Sequence, residues 1–224
     1  MAKYHIFKHL HTVNKHRWHV FINCCHCGIP FRGLVHDLSK YSIREFYTSA
    51  KYYRGIESPL FKERQNNGMY SEVAVHHCNR NKHHYEYWID FYKGDIVLKQ
   101  MPYKYAVEYC CDVISASFVY NGKKNFKREL PLEYFLRIEP GTLMHSATKE
   151  FVKEVLIRYK DTRFKNIKKK HTKKLYKEIS DKYPKTEYIK VLGNSGLVWW
   201  IFLFFYLIHF FLFEYFYYKW NKHK

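Results

Sequence analysis

Helix-breaking residues are sparse in this chain, and they fall between long segments with a helical pattern. Nine glycines and six prolines occur in 224 residues. Gly28 ends a segment of few helix breakers, residues 3–27, and Pro102 suits the first turn of a long helix that ends near Asn121. No run of residues alternates convincingly between apolar and polar side chains, as a half-buried strand does. The sequence therefore predicts an all-α fold.

Further start and stop signals divide the rest of the chain. Ser42 and Glu45 have the spacing of a capping box, which predicts a helix that continues to about Tyr53. Ser71 is a candidate cap for another helix, and residues 54–69 between them have the composition of a loop. Additional helices are predicted to begin at Pro131 and to span residues 147–160 and 164–180.

Composition places the chain among folded proteins with reduced thiols. The apolar fraction is 47%, enough for a packed core, which excludes wholesale disorder. Cys24 and Cys27 form one CxxC motif, but no second CxxC completes a structural zinc site. The first sixteen residues contain no apolar run typical of a secretory signal. We therefore expect the six cysteines to be mostly buried, reduced thiols on helices.

Positive charge is concentrated near the carboxyl-terminal end. The formal net charge is +19, and residues 153–190 hold 14 Lys and Arg against 5 Asp and Glu. The polybasic stretch at residues 159–174 suits anionic lipid headgroups or nucleic-acid phosphates, because charge alone does not distinguish between polyanions.

The longest apolar run, residues 197–218, predicts a transmembrane tail anchor. Twenty-two helical residues span about 33 Å, enough for the hydrocarbon core of a bilayer. This interpretation divides the chain into a helical domain (1–180), a linker (181–196) and the anchor (197–218), with the domain on the cytoplasmic side. The alternative is a soluble cytoplasmic protein in which this run is a helix buried in the domain or in a homodimer.

A histidine and an aspartate stand side by side at His36 and Asp37. This order puts an imidazole and a carboxylate at one corner of the backbone. Divalent metal ions accept both ligand types, and a carboxylate can bridge two ions. Lys40 follows three residues later. The pair predicts a metal site.

Residues 76–86 form a second group with the same chemistry. Four histidines fall within eleven residues together with Asn81 and Glu86: His76, His77, His83 and His84. Such groups bind metals and transfer protons. The alternative is a solvated, polar helix end in a protein that contains 15 histidines.

Two further sets of candidates lie on predicted helices. At 100° per residue, His5, His9 and His16 fall within about 40° of one another on the first helix. Glu108 and Asp112 lie one turn apart on an otherwise apolar helix, where a carboxylate is costly to bury unless it is paired or bound to metal. A salt bridge to a lysine is the alternative for either carboxylate.

The order His, His-Asp, His, His, Asp resembles the HD superfamily of metal-dependent phosphohydrolases, whose helical fold gathers such ligands around one or two metal ions. Because neighbouring residues on a helix diverge by about 100°, we expect at most one of His83 and His84 to be a ligand, with His84 chosen here. This resemblance implies an HD-like helical bundle with a metal site formed by His9, His36, Asp37, His77, His84 and Asp112.

The sequence also resembles a family of short bacterial and phage proteins of unknown function. Their pattern runs KHxxxV, HDxSK, an acidic helix, HHxxNxxHHxE and ExxCD. The corresponding segments here are residues 8–13, 36–41, 44–46, 76–88 and 108–112. No GYP-like motif of nucleotide phosphodiesterases follows the histidine pair.

The HD resemblance implies hydrolysis of a phosphate ester, either a nucleotide or a related small molecule. One or two divalent ions are expected, among Mn, Fe, Mg and Zn. Lys40 and Arg80 would hold phosphate oxygens, and Glu86 or a histidine would move the proton. Catalytic roles are thus expected for Lys40, Asn81, His83, Glu86 and Arg80. The alternatives are an HD-type di-iron oxygenase and a membrane-tethered nucleic-acid or partner-binding module without catalysis.

Overall fold

The computed structural model describes residues 5–191, most of which lie in α-helices. The helices are α1 (Ile6–His26), α2 (Pro30–Val35), α3 (Ile43–Tyr52), α4 (Pro59–Asn66), α5 (Glu72–Cys78), α6 (Tyr103–Asn125), α7 (Leu130–Ile138), α8 (Ser146–Thr162) and α9 (Lys169–Ser180). Short 3-10 turns cover Leu38–Tyr41, Tyr85–Trp88 and Glu139–Gly141. The predicted helical character is therefore confirmed.

Local capping signals predicted several helix ends correctly. The Ser42 side chain accepts a hydrogen bond from the Glu45 backbone N–H at the start of α3, and Ser71 does the same for α5. Helix α1 stops before Gly28, whose φ is +73°. A Cβ atom at Gly28 would lie 2.8 Å from Cβ of Lys169, so this turn requires glycine.

Two features depart from the sequence predictions. Residues 54–69, predicted as a loop, contain the eight-residue helix α4. Three short strands, β1 (Ile89–Tyr92), β2 (Asp95–Lys99) and β3 (Thr186–Ile189), form a sheet in the order β1-β2-β3, a small addition to the mainly helical fold that the sequence does not predict. Lys93 and Gly94, both with positive φ, make the two-residue turn between β1 and β2. Strand β3 also lies within the stretch predicted as a linker.

Helix α6 is the most deeply buried element and carries two carboxylates of the site. Its residues from Tyr105 to Ser115 are buried, apart from Asp112. Apolar side chains of α1, α7 and α8 pack around it, including Val20, Phe135 and Phe151. The core therefore fixes α6 against α1 and α2, the elements that carry the first histidines of the site.

The described residues fall into two units. Residues 5–90 and 97–187 form the helical unit that contains the candidate site, and residues 91–96 with 188–191 form the other. Within residues 5–191, no helix has the length and the apolar character that a membrane span requires. The predicted anchor, residues 197–218, lies outside the described residues.

Candidate metal centre

The His36–Asp37 corner is built by a change of backbone direction between α2 and the 3-10 turn Leu38–Tyr41. Asp37 has φ +52°, a left-handed conformation that aspartate tolerates better than most residues. Arg17 on α1 holds the preceding segment, because its Nε donates to the His36 carbonyl at 2.7 Å and its guanidinium donates to the Leu34 carbonyl at 2.9 Å. Both side chains of the pair are consequently almost completely buried.

Three imidazoles converge on Asp37. The Nε2 atom of His36 lies 3.3 Å from Oδ2 of Asp37. The Nε2 atoms of His77 and His83 lie 3.2 Å and 3.4 Å from Oδ1 of the same carboxylate. The two oxygens of Asp37 therefore face different histidines. In this arrangement one carboxylate can bind metal ions at two neighbouring positions.

Asp112 on α6 forms the opposite wall. Its Oδ1 lies 3.0 Å from Nε2 of His16 and 3.8 Å from Nε2 of His36. Its Oδ2 lies 3.8 Å from Nε2 of His83. We refer to the whole set, His16, His36, Asp37, His77, His83, His84 and Asp112, as the His–Asp cluster.

Two buried glutamates hold the far side of these rings. Glu108 accepts a hydrogen bond from Nδ1 of His36 at 3.1 Å, and its Oε1 lies 3.4 Å from Nδ1 of His83. Glu45 accepts from Nδ1 of His77 at 2.8 Å. A carboxylate on Nδ1 fixes the tautomer and orientation of a histidine so that Nε2 presents its lone pair to a metal. Three Nε2 atoms of the cluster are oriented in this way.

The polar atoms at the centre lack hydrogen bonds of good geometry within the described residues. They are Nε2 of His16, His36, His83 and His84, and both carboxylate oxygens of Asp37. Buried polar groups are normally satisfied, so a cluster of unsatisfied lone pairs 3 to 4 Å apart needs a shared partner. One or two divalent cations would provide that partner, because each accepts several imidazole and carboxylate ligands.

Two adjacent groups, which share no residue, have the ligand spacing for a cation. One is formed by Asp37, His77, His83 and His84, and the other by His16, His36 and Asp112. In each group the ligating atoms lie within 4.8 Å of one another. These buried clusters of histidine and aspartate could therefore hold a metal ion.

Electrostatics favour ionised carboxylates in the cluster. Burial alone would raise the pKa of Asp37, but the charges of His36 and Lys40 outweigh it and hold this pKa well below its usual range. Conversely, burial opposes protonation of His36, yet Asp37 raises the pKa of that histidine to about 10. In the metal-free protein His36 is thus protonated at neutral pH, so metal binding must release protons and weakens as the pH falls.

Five of the six predicted ligands lie in the His–Asp cluster, and His9 does not. His9 is buried between the rings of Phe46 and Tyr53, whose centroids lie 5.2 Å and 5.5 Å from its own. His16, two turns further along α1, faces Asp112 instead. Helical periodicity places both histidines on one face of α1, but of the two only His16 lies within ion-pair distance of Asp112 on α6.

Both members of the second histidine pair point inward, contrary to the expectation that one would. His83 and His84 belong to the same ligand group, with ring centroids 4.4 Å apart. The expectation assumed a helix, whereas α5 ends at Cys78 and residues 79–84 form a turn. Without helical geometry, consecutive side chains are free to share one pocket.

The remaining predicted residues differ in their distance from the cluster. Nζ of Lys40 lies 2.6 Å from Oδ2 of Asp37. Asn81 donates to Oγ of Ser39 at 2.8 Å, and it therefore supports the loop after the His36–Asp37 corner. Glu86 has an oxygen 3.8 Å from Nδ1 of His84, and burial raises its pKa. Arg80 is exposed.

Sequence reasoning did not assign roles to Arg17, Arg32 and Glu45. Arg32 donates to Glu108 at 2.7 Å, which stabilises the ionised form of that carboxylate. Glu45 was recognised only as a helix-capping residue, although it binds His76 and His77. The family pattern contains an acidic position here, and that is the signal that could have indicated its role.

The polybasic stretch at residues 159–174 covers the end of α8 and the start of α9. Its lysines on α9 are exposed, whereas Thr172 and Leu175 face the core. Helix α9 therefore presents one cationic face to solvent.

Comparison with known proteins gives one match. The sequence profile of a family of unknown function, DUF5662, matches residues 5–158. Neither the curated proteins nor the solved structures contain a significant match. The matched segment includes every residue of the His–Asp cluster.

Proposed function

This chain belongs to DUF5662, a family of unknown function, and we propose from its own residues that it is a metal-dependent phosphohydrolase. The substrate class is a nucleotide or a related small phosphate ester. The observation that carries the proposal is the convergence of three unsatisfied imidazole nitrogens, Nε2 of His16, His36 and His83, on Asp37 and Asp112. The order of these residues along the chain also resembles that of HD-superfamily phosphohydrolases.

The residues around the cluster suit hydrolysis of a phosphate ester. A divalent ion, when bound, lowers the pKa of a water and polarises a phosphoryl oxygen. Lys40 adds a cation at the edge of the cluster. Burial alone would lower the pKa of Lys40, but the charge of Asp37 outweighs burial, raises this pKa and keeps the lysine charged. An ammonium group in this position can hold a phosphate oxygen.

Glu86 is the candidate proton donor. Burial raises the pKa of its carboxyl group, and one of its oxygens is buried and lacks a hydrogen bond within the described residues. A carboxylic acid in such an environment is suited to protonate a leaving group near neutral pH. His84, 3.8 Å away, lies between Glu86 and the rest of the cluster.

Lys40→Gln tests the assignment of the phosphate-binding cation. We expect the variant to lose roughly 100-fold in kcat/KM for phosphate esters, because one charged donor to the transition state is removed. Metal content should stay the same, since Lys40 pairs with Asp37 and is not a ligand. Lys51→Gln, an exposed lysine on α3, is the matched control. Equal activity of the two variants would contradict the role of Lys40.

The reaction class is tested on the full chain loaded separately with Mn, Fe, Mg or Zn. The proposal predicts release of phosphate from small phosphate esters with at least one of these ions. Visible absorption and oxygen consumption with iron, without any phosphate release, would instead indicate the di-iron oxygenase. Failure to retain any metal, together with strong salt-sensitive binding of nucleic acid, would indicate a binding module.

We further propose that residues 197–218 anchor the protein to a membrane, with residues 1–180 on the cytoplasmic side. The lysines of residues 159–174 then lie where they can contact anionic lipid headgroups or nucleic acid. Removal of residues 192–224 should move the protein from the membrane fraction to the soluble fraction and leave its metal content unchanged. Full-length protein that stays soluble without detergent would contradict the anchor.

A further inference from the structure

A small cavity lies beside the His–Asp cluster, between α1, α3, α4 and α6. His16 and His77 of the cluster form one side of it. The other polar groups in its wall are His9, Thr12, Lys40, Ser49, Tyr53, Ser58 and Tyr120, and Glu45 also borders it. The cavity is therefore continuous with the candidate metal centre, but most of its wall consists of groups that are not candidate ligands.

His9 is the unexplained residue in this wall. Its side chain is 5% exposed, and neither ring nitrogen has a hydrogen-bond partner within the described residues. Burial and the charge of Lys40 lower its pKa to about 4, so the ring is neutral at pH 7 and keeps one N–H donor. A buried, unsatisfied imidazole destabilises the fold, so its presence calls for a partner.

The chemistry of the wall favours an anion. Lys40, whose Nζ also pairs with Asp37 at 2.6 Å, contributes ammonium donors, and Ser49, Ser58 and Tyr120 contribute hydroxyl groups. Burial raises the pKa of Tyr120, which therefore keeps its proton. The single carboxylate, Glu45, already accepts hydrogen bonds from two histidines and Ser39, so its charge is compensated.

The size of the cavity limits the group that it can enclose. Its volume is about 40 Å³ for the centres of water-sized molecules. A water needs roughly 10–15 Å³ by this measure, so about three waters, or one tetrahedral oxyanion in their place, would fit. A nucleobase and its sugar would have to remain outside.

We propose that this cavity binds a phosphate-sized oxyanion, the terminal phosphoryl group of a phosphomonoester or free phosphate, with His9 as a hydrogen-bond donor. A terminal phosphoryl group presents three free oxygens to such an enclosed, donor-rich wall, whereas a phosphodiester presents two. The preference for monoesters over diesters rests on the proposed hydrolase function. The binding of the oxyanion is independent of that function, because the hydrogen-bond donors of the cavity belong to the protein.

Isothermal titration of the full-length protein with inorganic phosphate tests the site, both after metal removal and after metal loading. His9→Leu should weaken phosphate binding about tenfold or more in both forms, because a hydrogen bond to a charged group is lost. The melting temperature should stay equal or rise, since an unsatisfied buried polar group is removed. His9→Gln, which restores an N–H donor, should recover part of the affinity. His11→Leu, an exposed histidine on the same helix, is the control.

Each outcome decides the proposal. The site would be overturned if His9→Leu bound phosphate with an affinity within twofold of that of the unaltered protein. It would also be overturned if the unaltered protein bound no phosphate. In either case His9 contacts only ordered water. His9-dependent binding without any hydrolysis would retain the site and reject the hydrolase. Faster hydrolysis of bis(p-nitrophenyl) phosphate than of p-nitrophenyl phosphate would reject the preference for monoesters.

Discussion

Asp37→Asn should abolish metal binding and phosphate-ester hydrolysis while leaving the backbone of the His36–Asp37 corner intact. Asp37 is the residue on which His36, His77 and His83 converge, so its charge should contribute most to holding a cation. Substitutions of residues that only orient metal ligands lower metal affinity about 10–100-fold, and the loss of a central ligand should exceed that range.

Asparagine is the appropriate replacement for this position. Residue 37 has φ +52°, and asparagine adopts left-handed backbone conformations as readily as aspartate does. The change therefore removes the charge without adding backbone strain. Asp161→Asn, an exposed aspartate on α8, serves as the matched control and should keep full metal content. Elemental analysis and phosphate release measure the two effects. Metal content of Asp37→Asn equal to that of the control would remove Asp37 from the centre.

Glu108→Gln should produce the largest loss of stability. Glu108 is completely buried and accepts hydrogen bonds from Arg32 and His36. Burial alone would raise the pKa of Glu108. The hydrogen bond with His36 is the largest of several favourable interactions that outweigh burial and lower this pKa to about 2. Relative to the usual glutamate pKa of 4.5, this shift corresponds to about 3 kcal/mol of folding free energy at neutral pH. The glutamine side chain also places an N–H donor near the guanidinium donors of Arg32. We therefore expect the free energy of unfolding to fall by about 3–5 kcal/mol.

The pH dependence of this contribution has a defined direction. Because the folded-state pKa of Glu108 is depressed, its contribution is present above pH 4.5 and is lost as the pH falls toward 2. Urea denaturation of the metal-free protein should therefore show a large difference between Glu108→Gln and the unaltered protein at pH 7, and a much smaller one at pH 3. Glu154→Gln, which breaks a partly exposed i,i+4 pair with Arg158 on α8, should cost at most about 0.5 kcal/mol. Equal effects of the two variants would contradict the buried network.

Helix ends were predictable where the signal is local. Ser42 and Ser71 cap α3 and α5 through contacts three residues away, which sequence spacing alone reveals. Helix α4 was missed because its eight residues have little amphipathic pattern, although Pro59 at its start was a usable signal. It is supported by a contact that spacing does not reveal, a hydrogen bond from Ser71 to Glu63.

Most residues of the His–Asp cluster are identifiable from the sequence, but the residues that orient them are not. His36 and Asp37 stand out as an imidazole and a carboxylate side by side, and Asp112 stands out as a carboxylate on an otherwise apolar helix. The pairing of Glu45 with His77 joins residues 32 positions apart, and it depends on how α3 packs against α5. The choice of His16 over His9 likewise depends on where α1 crosses α6, which helical periodicity does not determine.

Elemental analysis of the freshly purified full-length protein tests the central claim most directly. The account predicts a stoichiometric amount of a divalent metal in the unaltered protein and in Asp161→Asn, and only traces in Asp37→Asn. Loss of the metal should become easier as the pH falls, because protons compete for the imidazoles of the cluster. The proposed metal centre would be contradicted if the unaltered protein contained only traces of metal, even after incubation with Mn, Fe, Mg or Zn at neutral pH.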